Sequence, residues 1–79
     1  MPHIIVKLWP GRSELQKHQL TDEIVKNVTK IAKCKESSVS VAFEEISKKD
    51  WEEKVYKPEI LAKEEQLYKK PGYTLPFDK

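Results

Sequence analysis

The sequence predicts a small α/β fold: one βαβ unit, an additional C-terminal helix, and a sheet completed by dimerisation. Three observations carry that expectation. Ile4, Val6 and Leu8 alternate along a β-branched opening segment, Leu20, Ile24, Val28 and Ile31 recur at helical spacing, and Val39, Val41 and Phe43 return to a period of two. Strand, helix and strand in succession imply parallel strands joined by a right-handed crossover.

Taken in order, the first strand runs from about 3 to 9, where Pro10-Gly11 ends it. Ser13-Glu14-Leu15-Gln16 has the spacing of a capping box, so a helix is expected over 14–33, with Val25 and Ala32 widening its apolar stripe and Lys17, Asp22, Lys26 and Lys30 facing away. The second strand spans 39–46. Ser47 to Asp50 is a polar turn, and Trp51 to Tyr56 forms a short helical piece. Pro58 suits the first position of a further helix, because its missing N–H costs nothing there, and that helix continues through Tyr68 until Lys69-Lys70-Pro71-Gly72. The tail from Tyr73 to Lys79 carries Leu75, Pro76 and Phe77, and docking on a neighbouring subunit accounts for its apolar content.

At 79 residues the chain is read as a single domain, 1–79. A chain of this size buries only roughly 60% of its unfolded surface, so association with another copy is expected. Fifteen Lys and Arg oppose thirteen Asp and Glu, for a net charge of +2, and the two signs are interleaved as on an ordinary solvated surface. No stretch has the length of a membrane span and the opening residues lack the pattern of a signal peptide, so a cytoplasmic protein with no membrane partner is expected. The lone Cys34 rules out an internal disulfide and fits a small, buried or half-buried position.

Chemistry-bearing motifs are few. No set of residues has metal-ligand spacing, and two glycines do not make a phosphate-cradling loop, so neither metal nor cofactor is expected. Pro2 is the exception: removal of Met1 exposes a secondary amine, which serves as a general base when its pKa lies near the working pH. A proline at position 2 is common, but this one opens a strand and is therefore held rather than frayed.

Pro2 before the first strand, Pro10-Gly11-Arg12-Ser13-Glu14-Leu15-Gln16-Lys17 leading into the helix, and Ser37-Ser38-Val39-Ser40-Val41 followed by Glu44-Glu45-Ile46 together resemble the 4-oxalocrotonate tautomerase family. The resemblance spans about residues 2 to 51, and Lys69-Lys70-Pro71-Gly72-Tyr73 looks like its PptA-type branch. It implies a tautomerase-like βαβ unit that pairs into a four-stranded homodimer, a hexamer being less favoured because of the longer C-terminal extension. It also implies a cofactor-free tautomerase or isomerase moving a proton between enol and keto forms of a small 2-keto acid. Pro2 becomes the proton shuttle, and Arg12 matches the family's first arginine, which meets the substrate carboxylate. The family's second arginine falls on Ser40, a departure that disfavours dicarboxylates and favours a monocarboxylate such as phenylenolpyruvate. Trp51 matches the aromatic wall near the proline. Lys7 fits a surface lysine, His3 an ordinary strand residue pointing away from the amine, and His18 the exposed side of the helix.

Two other readings remain open from the residues. One is a catalytically idle oligomeric scaffold. The other is a small module binding single-stranded nucleic acid, for which Trp9 and Phe43 are the only strand aromatics; the resemblance implies no nucleic-acid partner.

Overall fold

The computed structural model describes residues 1–76. The chain divides into two compact units, Met1–Glu45 and Ile46–Lys79. In the first, strand β1 (His3–Leu8) leads to helix α1 (Glu14–Ile31), a 3₁₀ turn (Glu36–Ser38) and strand β2 (Ser40–Glu45). The two strands pair in parallel, with His3 opposite Ser40, Ile4 opposite Val41 and so on to Leu8 opposite Glu45. The expected βαβ unit is therefore present, with each strand one or two residues shorter than the sequence reading.

Gly11 adopts φ 126°, a left-handed conformation that a side chain resists, which explains why glycine stands at the exit from β1. The capping box then forms in full: the Gln16 N–H donates to Ser13 Oγ at 3.1 Å, and the Ser13 N–H donates to Gln16 Oε1 at 2.8 Å. At the other end Lys33 has φ 58° and the Cys34 N–H reaches back to the Thr29 carbonyl at 3.3 Å, which closes α1 two residues earlier than expected. Cys34 is half-buried, in keeping with its expected position.

The packed face of α1 is not the one the apolar spacing indicates. Lys17, Thr21, Ile24, Val25, Val28 and Thr29 are the half-buried residues of α1, whereas Leu20 is 42% and Ile31 75% exposed. Ile24, Val25 and Val28 belong to both stripes; the true face is rotated away from Leu20 and Ile31 toward Lys17 and Thr21. Lys17 accounts for part of the rotation. Its ammonium lies 2.7 Å from Glu45 and 3.5 Å from Glu14, tying the first turn of α1 to the end of β2. The hydrogen bond to Glu45 is the main reason its pKa is raised above the ordinary 10.5.

In the second unit, α2 (Lys48–Trp51) is capped by Ser47, whose Oγ accepts the Asp50 N–H at 3.1 Å, and runs directly into a π-helix (Glu52–Leu61). The expected helix start at Pro58 is thereby corrected: Pro58 lies inside the π-helix, and the helix ends at Leu61 rather than Tyr68. The Ala62 N–H donates to the Lys57 carbonyl five residues back, at 3.0 Å. That wider turn displaces the carbonyl a proline ring strikes in an α-helix. Glu64–Gln66 forms a 3₁₀ turn. Val55 and Tyr56 are the buried side chains of the π-helix. Of the apolar tail, Leu75 is half-buried, and Phe77 lies outside the described residues. No helix among the described residues is long and apolar enough to cross a membrane.

Candidate active site

The parallel register brings the starts of both strands together. The Ser40 N–H donates to the Pro2 carbonyl at 3.1 Å, so the residue before β1 is held by the first residue of β2. The same Ser40 turns its hydroxyl to His3, with Oγ 2.6 Å from Nδ1. One serine thus engages Pro2 through its backbone and His3 through its side chain. Pro2 is half-buried, while His3 and Ser40 are exposed.

Strand alternation determines what shares a face with His3. Residues 3, 5 and 7 of β1 stand opposite residues 40, 42 and 44 of β2, giving the cross-strand pairs His3/Ser40, Ile5/Ala42 and Lys7/Glu44. The last is an ion pair at 3.7 Å. Ile5 is 46% exposed between two polar pairs. The opposite face carries Ile4, Val6 and Leu8 with Val41 and Phe43, all half-buried.

Arg12 does not join Pro2 within its own chain. It follows the far end of β1, where its guanidinium is exposed and donates to the Trp9 carbonyl at 3.2 Å. The length of β1 alone sets the two residues roughly 17 Å apart along the strand direction. Trp51 belongs to the second unit. Its indole N–H donates to the Tyr73 hydroxyl at 3.0 Å, and the Tyr73 ring lies 5.7 Å from that of the buried Tyr56. Trp9 and Phe43 are both half-buried, so neither stands open in the way a base-stacking platform requires. A shallow groove along α1, lined by residues including Thr21, Val25, Thr29 and Glu36, contains none of these candidates.

His3 is the residue that sequence reasoning set aside. Its face was read from strand parity, but its partner depends on a pairing 37 positions away in the chain. Only the register, aligning the first residue of β2 with the first of β1, supplies that signal.

Comparison with known proteins agrees with this organisation. Residues 2–52 match a family model described as a tautomerase enzyme. The chain is 42% identical over 73 residues to a probable tautomerase of Xylella fastidiosa, covering 92% of this chain and 89% of that one. It is 41% identical over 76 residues to tautomerase PptA of Cronobacter sakazakii, covering 95% of this chain and all of the relative. Tautomerase PptA of Escherichia coli is 36% identical over the same length.

Proposed function

The chain belongs to the tautomerase enzyme family, and from that premise we propose that it interconverts enol and keto forms of a small 2-keto acid of the phenylpyruvate type, with the Pro2 amine as general acid and base. The observation that carries the proposal is the hydrogen bond from the Ser40 N–H to the Pro2 carbonyl, which holds the amine-bearing residue to the sheet. While Met1 is attached, the Pro2 nitrogen is an amide without a basic lone pair. Met1 is fully exposed, open to the removal this reading requires.

In the reaction, the Pro2 nitrogen takes the enol O–H proton. The electron pair of that bond becomes the C2=O bond, and the C2=C3 pair accepts the proton back from Pro2 at C3. No cofactor enters the balance. Arg12 binds the substrate carboxylate through its planar fork. Its distance from Pro2 along β1 supports an arginine supplied by a second copy. An isologous homodimer, with the two β1 edges side by side and antiparallel, sets the end of one β1 beside the start of the other. Such pairing also covers an open edge of a two-stranded sheet that is marginal alone. Trp51 as a wall of low polarity belongs to the same proposal, as do the single-domain organisation of residues 1–79 and the cytoplasmic setting.

The test is ketonisation of phenylenolpyruvate, followed by ultraviolet absorbance against pH, on protein whose mass shows that Met1 is gone. The expected outcome is an acceleration that falls about 10²–10⁴-fold in Pro2→Ala or when Met1 is retained. Equal rates for processed and unprocessed protein would remove Pro2 from the mechanism.

A further inference from the structure

We propose that His3, oriented by Ser40, donates the hydrogen bond that stabilises negative charge on the substrate C2 oxygen. The inference rests on the reading of Pro2 as base. Once Pro2 has taken the enol proton, charge accumulates on that oxygen until C3 is protonated, and a donor fixed there before the reaction lowers the barrier. His3 is covalently next to Pro2. Ser40 holds the Pro2 carbonyl at 3.1 Å through its N–H and His3 Nδ1 at 2.6 Å through its hydroxyl.

That second bond fixes which edge of the imidazole is offered. With Nδ1 engaged by Ser40, Nε2 is the ring nitrogen left to a substrate. When the Ser40 hydroxyl donates to Nδ1, the neutral ring carries its proton on Nε2; when the ring is an imidazolium, Nε2 carries a proton as well. In both of these states an N–H is presented, whereas the tautomer whose Nδ1–H donates to Ser40 leaves Nε2 an acceptor, so the proposed role requires the Ser40 hydroxyl as the donor. His3 is exposed to receive a substrate. The charged side chains sharing this face, Lys7 and Glu44, are paired to each other at the far end of the ladder. Ser40 is therefore a positioning residue, and His3 the group that meets the reacting oxygen.

The test measures kcat and KM separately for phenylenolpyruvate with Met1-free wild type, His3→Ala, His3→Gln, Ser40→Ala and Pro2→Ala, each checked for folding by circular dichroism. His3→Ala is expected to lower kcat about 100-fold with little change in KM, the split expected when a donor to the developing charge is lost rather than a binding contact. His3→Gln, which offers an amide N–H near the position of Nε2, is expected to recover part of kcat. Ser40→Ala, which leaves the ring unanchored, should lower kcat less than His3→Ala. Wild-type kcat in His3→Ala, while Pro2→Ala is inactive, would overturn the role of His3 and leave Pro2 standing. Full activity in Pro2→Ala would instead overturn the base, and this inference with it. Should His3→Ala fail to fold, His3→Gln decides: an unchanged kcat counts against His3, and a lowered kcat with KM little changed supports it.

Discussion

The two ends of the β1–β2 ladder are built differently. At the start, Pro2, His3 and Ser40 meet through two hydrogen bonds, with His3 and Ser40 exposed. At the finish, a full capping box and the Lys17–Glu45 contact at 2.7 Å fasten the helix to the sheet. The first end presents groups to solvent; the second spends its groups on one another. On the proposed function, chemistry and anchoring fall at opposite ends of a single strand pair, so that a substitution at one end should report on rate and at the other on stability. Arg12 breaks the pattern, standing at the anchoring end with its guanidinium exposed.

The loss of activity expected of Pro2→Ala is the largest effect. Arg12→Ala comes next: kcat/KM is expected to fall about 10–100-fold, mostly through KM, as for the loss of a charge-assisted hydrogen bond. Co-expression of Pro2→Ala with Arg12→Ala sharpens the contrast between the ends. If a site takes its proline from one copy and its arginine from another, random pairing leaves about a quarter of sites intact and activity returns. No return would put both residues of a site on one chain.

Ser13→Ala is expected to cost about 1 kcal/mol by opening the capping box, lowering Tm by several degrees in a domain of this size, with kcat unchanged in protein that remains folded. Thermal melts and rates on the same samples check both halves. The smallest effect is alkaline. Because the pKa of Lys17 is raised above 10.5 in the folded state, its contribution is fully present below pH 10.5 and is lost as pH climbs through the raised value. Urea unfolding across that range should show a steeper decline in wild type than in Lys17→Met.

Much of the first unit was legible because its signals are local. Alternation marked both strands, Pro10-Gly11 marked the exit from β1, and Ser13 with Gln16 marked the helix start within four residues of sequence. What escaped depends on partners remote in the chain. Leu20 and Ile31 fit a helical stripe, but Lys17 finds Glu45 and turns another face inward. Pro58 has the chemistry of a helix start, and the π-helix absorbs it because the turn running on from α2 carries through. At the candidate site the sequence pointed to Pro2 and Ser40 separately, through a family resemblance. It could not join them, since their bond and the His3–Ser40 contact exist only once the two strands are aligned.

That alignment also makes the arrangement self-checking. A slip of one residue between the strands would turn every side chain of β2 to the other face. Ser40 would then stand across from Ile4, Glu44 from Leu8, and the His3 contact and the Lys7 ion pair would vanish together. A misthreaded chain therefore loses its hydroxyl anchor and its strand-end charge pair in one step and sets Phe43 across from Lys7. Fidelity of threading and competence of the proposed site are enforced by the same three cross-strand pairs.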